Sequence, residues 1–236
     1  MPNIEYTVFG SSIVNDVRVT VDVVAFAIEQ DCLEVLLIKR KYEPFRNQWA
    51  LPGGFLLPGD GSLEEAAARE LSEETNVSDI YLEQLYSFGD RERDPRGRTV
   101  TIAYLALLRA EEVELQAATD ASGVAWFPVH SLPDLAFDHG RILDYAISRL
   151  RYKIEYSPCV FSLLPESFTL RSLQNAYEII LGKQIDNRNF RKKFLGTGIL
   201  IDQEELTRGG PHRPAKLYKF SLNEFSRLAD RPIFTF

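Results

Sequence analysis

Cysteine is scarce in this chain of 236 residues, and long apolar runs are missing. Only Cys32 and Cys159 occur, and because they are far apart and in no metal-ligand spacing, we expect both to be buried or half-buried apolar side chains. No stretch approaches the roughly 18 apolar residues of a membrane-spanning helix, and residues 1–12 lack the basic start and apolar run of a secretory signal. The composition therefore predicts a reduced, cytoplasmic protein with no membrane partner.

Charge divides the chain into two parts, which the net charge of −7 conceals. Residues 1–150 hold 13 basic and 25 acidic side chains, a net charge of −12, whereas residues 151–236 hold 14 and 9, a net charge of +5. The length has room for one full domain and one small one, and we predict them at residues 1–153 and 154–236. The basic charge of the second domain indicates an anionic polymer as its partner.

A glycine-rich loop followed by a charged helix is the most informative segment of the first domain. Gly53 and Gly54 allow the backbone to approach neighbouring groups closely. Ser62 and Glu65 are spaced as a capping box, in which a hydroxyl and a carboxylate accept hydrogen bonds from free amides at a helix start. The helix has an apolar stripe at four-residue spacing, formed by Leu63, Ala67 and Leu71.

The second half of this helix carries Arg69, Glu70, Glu73 and Glu74. Residues three and four apart share a helix face, so the three carboxylates gather there, and Arg69 is placed to pair with Glu73. Crowded carboxylates repel one another, and Mg2+ is the usual remedy. A bound Mg2+ would bridge pyrophosphate oxygens and lower the pKa of a bound water. The alternative is an exposed, charged helix whose glutamates only keep it soluble.

The double glycine, the capping box and the Arg-Glu pair together resemble the signature of the Nudix family, which cleaves nucleoside diphosphates linked to another group. The resemblance implies an α+β protein whose first domain is an α/β/α sandwich with a mixed sheet. The residues it implies for catalysis are Arg69, Glu70, Glu73 and Glu74, and the three glutamates among them are the implied Mg2+ ligands.

The segment departs from the Nudix pattern at three positions. Asp60 stands where the family has a glutamate, Gly61 is a one-residue insertion, and Asn76 replaces a glycine. Asparagine tolerates the left-handed conformation, so the last change is mild. A shortened and displaced acid at Asp60 would weaken metal binding or the brace between loop and helix. The sequence therefore leaves catalytic activity open.

Alternation of apolar runs and helical segments predicts a mixed sheet sandwiched by helices for the first domain. A turn at Gln30-Asp31 separates the first two strands. We expect Asp138 to cap the last helix of the domain, and we assign no catalytic role to His139. The predicted strands cover residues 17–28, 34–40, 81–88, 99–108 and 124–128, and the last helix covers residues 138–152.

Four arginines crowd the segment 90–98, which joins two of these strands. One interpretation is a solvated hairpin loop. The other is a clamp for phosphate or ribose, since guanidinium groups match phosphate oxygens. On the second interpretation, the candidate ligand-binding residues are Arg40, Gly53, Gly54, Arg91, Arg96 and Arg98.

The second domain shows the pattern of a helix-turn-helix with a basic second helix. Thr169 is the expected N-cap of the first helix and Gly182 its C-terminal stop, while Phe190 and Phe194 face inward from the second helix. A hairpin with a basic tip follows and completes a winged helix. The alternative is a winged helix used for dimer contacts, with its basic residues solvated. The candidate DNA-binding residues are Arg188, Asn189, Arg191, Lys192, Lys193, Arg208, Arg213 and Lys216.

Segments of both domains resemble the Nudix-related transcriptional regulators of bacterial NAD metabolism. These segments are Asp94-Pro95-Arg96-Gly97, Ala136-Phe137-Asp138-His139, Phe168-Thr169-Leu170, Gly182-Lys183, Asn189-Phe190-Arg191-Lys192 and Arg213-Pro214-Ala215-Lys216-Leu217-Tyr218. The resemblance implies a homodimer whose Nudix domain senses ADP-ribose or a related nucleotide and whose winged helix binds double-stranded operator DNA. Sister regulators sense sugars, so the ligand does not follow from the fold. The alternative function is a Mg2+-dependent ADP-ribose pyrophosphatase that yields AMP and ribose 5-phosphate, with the second domain accessory.

Overall fold

The structure is a computed structural model that describes residues 17–75, 80–115, 121–207 and 214–228. No helix in these ranges is both long enough and apolar enough to cross a bilayer. The strands of the first domain are β1 (Arg18–Glu29), β2 (Cys32–Arg40), β3 (Trp49–Ala50), β4 (Gly53–Phe55), β5 (Tyr81–Phe88), β6 (Thr99–Leu107) and β7 (Ala121–Pro128). Its helices are α1 (Leu63–Thr75) and α2 (His139–Lys153).

One mixed sheet organises the first domain. Its strand order is β3-β2-β1-β6-β5, with β4 also paired to β1 and β7 to β2. Strands β1 and β6 run parallel, whereas β1 with β2 and β5 with β6 run antiparallel. Gln30 and Asp31 have positive φ angles of 47° and 60°, which a two-residue hairpin turn requires. The predicted mixed sheet and its first turn are confirmed.

Helices α1 and α2 belong to separate apolar clusters that meet the sheet through different residues of β1. Val21 of β1 shares a buried cluster with Leu71 of α1. Val24 and Phe26 share the other cluster with Leu143 of α2. Because successive side chains of a strand point to opposite faces, the two helices cover opposite sides of the sheet.

The second domain is a winged helix. Its helices are α3 (Leu170–Leu181), α4 (Asn187–Thr197) and the short α5 (Leu222–Phe225). Its strands are β8 (Phe168–Thr169), β9 (Leu200–Leu206) and β10 (Lys216–Phe220), paired in the order β8-β10-β9. The residues between β9 and β10 at the tip of the wing, 208–213, lie outside the described residues.

The predicted ends of α3 and the inward face of α4 are confirmed. The hydroxyl of Thr169 accepts a hydrogen bond from the amide of Ser172 over 3.0 Å, as an N-cap does. Gly182 ends the helix in the left-handed conformation with a φ angle of 66°. Phe190 and Phe194 are fully buried. Local sequence signals therefore determine this helix pair.

Several element ends differ from the predictions, and one element was not predicted. Strand β7 starts at Ala121, earlier than predicted, because Ala121 pairs with Arg40 at the end of β2. Helix α4 ends at Thr197, where Gly198 supplies a left-handed C-cap with a φ angle of 73°. A 3-10 helix over Pro158–Leu163 was not predicted.

Both domains share one apolar core. The buried cluster that contains Leu143 of α2 continues through Ile154 and Cys159 to Tyr177 of α3 and Phe190 of α4. Cys159 is thus a buried apolar side chain, as predicted. The boundary at residues 153 and 154 stays a prediction, because this core runs across it.

Two hydrogen bonds reinforce the junction between the domains. The hydroxyl of Tyr177 donates to the carbonyl of Ile154 over 3.2 Å. The guanidinium of Arg151 donates to the carbonyl of Ile180 over 3.0 Å. Since Ile180 lies in the last turn of α3, the C-terminal end of α2 holds that turn directly.

Phe190→Ala should lower the free energy of unfolding by about 3–5 kcal/mol, because the buried ring packs against Tyr177 and Phe194 and its loss leaves a cavity. Urea denaturation followed by circular dichroism measures this change. Leu195→Ala, on the exposed side of the same helix, is the control and should cost less than about 1 kcal/mol. Equal losses in the two variants would contradict the assignment of Phe190 to a shared core.

Candidate functional site

Arg69 fastens the glycine loop to α1. Its guanidinium donates to both oxygens of Asp60 over 2.9 and 3.1 Å and to Glu70 over 2.8 Å. The hydrogen bond from Arg69 lowers the pKa of Asp60, and the amide of Leu57 lowers it further. Asp60 therefore forms the brace between loop and helix despite its short side chain and the inserted Gly61.

The start of α1 adapts to the insertion. The hydroxyl of Ser62 accepts from the amide of Glu65 over 3.1 Å, as a capping box requires. The carboxylate of Glu65 accepts from the amide of Gly61 over 2.9 Å, one residue before the expected partner. The inserted glycine thus supplies the second donor of the cap.

The structure does not bring the glutamates of α1 together as Mg2+ ligands. Glu74 is buried, with 3% exposure. Glu70 and Glu73 pair with Arg69 over 2.8 and 3.4 Å. Within the described ranges, no three His, Cys, Asp or Glu side chains are grouped to hold a metal ion. Arg69 neutralises part of the negative charge of these carboxylates, and their assignment as catalytic residues and Mg2+ ligands stays a prediction.

Gly53 and Gly54 pass close to neighbouring groups, so that a side chain on Gly53 would meet the backbone and one on Gly54 would displace the carboxylate of Glu70. A Cβ atom on Gly53 would lie 2.3 Å from the carbonyl oxygen of Val21. A Cβ atom on Gly54 would lie 2.3 Å from Oε1 of Glu70. The predicted close approach is confirmed, and it brings the loop against both β1 and α1.

A cavity of about 190 Å³ opens beside the glycine loop. Four of the predicted ligand-binding residues line it: Arg40, Gly53, Gly54 and Arg96. The guanidinium carbon of Arg40 lies 4.8 Å from the ring centroid of Phe137. That of Arg96 lies 5.2 Å from the ring of Phe55 and 5.6 Å from the ring of Phe137. The aromatic rings therefore hold the two guanidinium groups at the wall of the cavity.

Arg93 is the buried member of the four-arginine segment and also lines the cavity. Its guanidinium donates to Asp138 over 2.8 and 3.1 Å and to Asp22 over 3.3 Å. The prediction that Asp138 caps α2 is wrong in its chemistry: Asp138 occupies the N-cap position but its side chain makes no cap hydrogen bond. Its carboxylate is directed to Arg93 instead, because a buried guanidinium requires a counterion.

Asp94 holds the rest of this segment in place. Its buried carboxylate accepts from the amide of Arg96 over 2.9 Å, from the guanidinium of Arg96 over 2.7 Å and from the hydroxyl of Thr99 over 3.3 Å. Burial opposes its ionisation, but the hydrogen bonds from Arg96 lower the pKa of Asp94 overall. Arg91 and Arg98 are exposed and border a separate surface hollow, so they do not share the cavity with Arg96.

His139, the first residue of α2, is buried and neutral. Its Nδ1 accepts a hydrogen bond from the amide of Leu51 over 2.9 Å, so the ring proton is on Nε2, which lies 3.6 Å from Asp22. Burial lowers the pKa of His139, against the opposing effect of Asp22. His139 therefore joins the start of α2 to the segment that precedes the glycine loop.

Helix α4 presents most of its predicted DNA-binding residues to solvent. The exposed ones are Arg188, Asn189, Arg191 and Lys192. The carboxylate of Asp186 caps the helix by accepting from the amide of Asn189 over 2.8 Å. Arg191 also borders a groove between α3, α4 and the wing, with Arg171 and Lys216 on its other sides. Arg171, at the start of α3, was not among the predicted residues.

The remaining predicted DNA-binding residues differ from this group. Lys193 is half-buried, and burial lowers its pKa while Glu155 opposes the change. Lys216 pairs with Asp202 over 2.5 Å, and this hydrogen bond raises the pKa of Lys216. Arg208 and Arg213 lie outside the described residues.

Comparison with protein families assigns both domains. The model of the NUDIX domain matches residues 16–146, which is more than half of the chain. The model described as the NrtR DNA-binding winged helix domain matches residues 160–220. The fold and the site thus define a class, a Nudix domain followed by a winged helix domain.

Two relatives, one of them represented by two crystal structures, extend this similarity to most of the chain. The chain is 40% identical over 209 residues to the ADPR responsive transcriptional repressor NtrR of Acinetobacter baylyi, covering 87% of this chain and 83% of that protein. It is 39% identical to Shewanella oneidensis NrtR in a crystal structure with a 27mer DNA, with a TM-score of 0.79 and coverage of 88% and 95%. The NUDIX domain of Shewanella oneidensis NrtR, solved with ADP ribose, is 42% identical, with a TM-score of 0.52 and coverage of 56% and 88%. The chain belongs to the NrtR family of Nudix-related transcriptional regulators.

Acidification should destabilise the protein through His139. The folded state disfavours the charged imidazole, so its stabilising contribution is present above the unfolded pKa of about 6.5 and is lost as the pH falls below it. We expect the free energy of unfolding from urea titrations to fall between pH 7.5 and 5.5, and to fall less in His139→Asn, which keeps an acceptor for Leu51 but does not titrate.

Carboxylates with lowered pKa values, such as Asp60 and Asp94, act in a separate pH range, because they begin to lose their stabilising contribution only below about pH 4.5. The same pH slope in His139→Asn and the unmodified protein would show that His139 is not the responsible group.

Proposed function

We propose that this protein is a DNA-binding repressor of NAD-metabolism genes and that its Nudix domain senses ADP-ribose. The observation that supports this most is the 40% identity to an ADPR responsive repressor over 87% of the chain, which spans both domains. A sensor needs a ligand cavity in one domain and a DNA-binding surface in the other. The cavity beside the glycine loop and the groove between α3, α4 and the wing are the candidates for these two sites.

The cavity beside the glycine loop suits the chemistry of ADP-ribose. Arg40 and Arg96 bring guanidinium groups to its walls, and the planar fork of a guanidinium matches the oxygens of a diphosphate. Phe55 and Phe137 line the same cavity, and their rings hold the guanidinium groups of Arg40 and Arg96 beside it. The NUDIX domain of Shewanella oneidensis NrtR, which carries ADP ribose in its crystal structure, supports the same ligand for this cavity.

The groove between α3, α4 and the wing suits a DNA backbone. Arg171 and Arg191 border it, and neither forms an ion pair with a carboxylate in the described part of the chain. Two unpaired guanidinium groups at one groove favour an anionic ligand such as a phosphodiester. Exposed residues of α4 are then placed to enter the major groove. We propose that a homodimer binds a two-fold symmetric operator in this way.

Helix α2 offers a physical connection between the two sites. It begins at the cavity, where Arg93 holds Asp138 and where His139 is buried. It ends at α3, where Arg151 holds the carbonyl of Ile180. A ligand that favours one position of α2 would redistribute the dimer between states that bind DNA and states that do not.

ADP-ribose should weaken specific DNA binding several-fold or more. The probe is a fluorescent duplex selected by the purified protein from a random library, and anisotropy titrations with and without saturating ADP-ribose measure the change. Arg191→Gln should abolish DNA binding and leave ADP-ribose binding intact, because Arg191 is exposed on α4 and lies away from the cavity.

Arg96→Gln is the matched variant at the other site. It should retain DNA binding and lose the response to ADP-ribose, since Arg96 lines the cavity. Equal DNA affinity with and without every nucleotide tried would overturn the sensor function.

A second candidate function, the ADP-ribose pyrophosphatase, is favoured by the intact brace from Asp60 to Arg69 and by retention of Glu70, Glu73 and Glu74. Incubation with ADP-ribose and Mg2+, followed by chromatography for AMP, tests it. We expect ADP-ribose to remain intact, because the glutamates are not grouped for a metal ion. Rapid AMP formation that is lost in Glu74→Gln would instead show that hydrolysis of ADP-ribose is the main function of the protein.

A further inference from the structure

Thr20 of β1 carries a buried hydroxyl with no hydrogen-bond partner. Within the described residues, its Oγ1 is the buried side-chain oxygen or nitrogen left unsatisfied. The residue is 7% exposed and lines the cavity beside the glycine loop. Burying an unpaired hydroxyl costs free energy, so such a group in a ligand cavity calls for an explanation.

The register of β1 places this hydroxyl on the cavity side of the sheet. Side chains two residues apart share a face of a strand, so Thr20 and Asp22 continue the face on which Val24 and Phe26 pack toward α2. On this face of β1, the apolar side chains of the core give way to Thr20 and Asp22, which form the floor of the cavity. Asp22 is satisfied by Arg93, whereas the hydroxyl of Thr20 is not.

Backbone pairing holds Thr20 in this position. It lies opposite Phe55 of β4 and opposite Thr101 of β6. The hydroxyl of Thr101 donates to the carbonyl of Thr20 over 3.3 Å. The strand therefore holds the Thr20 side chain at the cavity floor before any ligand arrives.

We infer that the hydroxyl of Thr20 is a hydrogen-bonding contact for the ligand of this cavity. A ligand with several phosphate and hydroxyl oxygens, such as ADP-ribose, supplies the missing partner. The inference rests on the proposed function, because it takes ADP-ribose as the ligand. The hydroxyl of Thr20 would be an uncharged contact beside the charged and aromatic side chains of the cavity. A site that hydrogen-bonds its ligand through such a group rejects ligands that lack the matching polar atom.

Thr20→Val tests the assignment, because valine keeps the shape of threonine and removes only the hydroxyl. Calorimetric titration of the full-length protein with ADP-ribose should show affinity lowered roughly three- to tenfold. The urea midpoint of the ligand-free protein should stay the same or rise, since a buried unsatisfied group has been removed. Thr20→Ser keeps the hydroxyl and should bind ADP-ribose more tightly than Thr20→Val.

Thr101→Val is the matched control on the adjacent strand. Its hydroxyl is satisfied by the carbonyl of Thr20 and does not line the cavity, so this variant should lower the urea midpoint and leave ADP-ribose affinity unchanged. The two valine variants thus have opposite expected effects.

Unchanged ADP-ribose affinity in Thr20→Val would overturn the inference. A urea midpoint lowered in Thr20→Val to the extent seen in Thr101→Val would also overturn it, by showing that the hydroxyl is structural. These results differ from a failure of the proposed function, in which the unmodified protein itself would not bind ADP-ribose.

Discussion

The ligand cavity depends on the ion pairs that the buried guanidinium of Arg93 makes with Asp22 and Asp138. Arg93 holds Asp22 of β1 and Asp138 at the start of α2, and it belongs to the segment that also carries Arg96. One guanidinium group thus joins β1, the start of α2 and the segment 90–98. Loss of the guanidinium would leave two carboxylates close together without a counterion, one of them buried, which is far more costly than losing a surface ion pair. The neutral state of His139 beside it belongs to the same arrangement.

The shared core makes the second domain an extension of the first. Apolar side chains run from the sheet through α2 to α3 and α4 without interruption. A small winged helix buries a limited area alone, so packing on a larger neighbour adds to its stability. The arrangement also means that α4 rests on the same body that encloses the cavity. If a flexible linker alone joined the domains, ligand binding in the first domain would not be able to change the position of α4.

The sequence predicted local structure well and long-range contacts poorly. The cap at Thr169 and the stop at Gly182 depend on neighbouring residues, so they could be predicted. The role of Asp138 was missed because its partner, Arg93, lies 45 residues earlier and no local pattern marks the pairing. The separation of Arg91 from the cavity likewise depends on how one loop folds around Asp94. In α1, the four-residue spacing predicted the pair between Arg69 and Glu73, but it did not predict the pair between Arg69 and Glu70, the next residue along the chain.

The two domains carry net charges of opposite sign, so the molecule is electrostatically asymmetric. The first 150 residues carry a net charge of −12 and the remainder +5. A polyanion repels one end of such a molecule and attracts the other, over a range of about 10 Å at ordinary salt. This field favours collisions with DNA in which the winged helix leads. Salt that screens this field would slow productive encounters even where it leaves the final contacts in place.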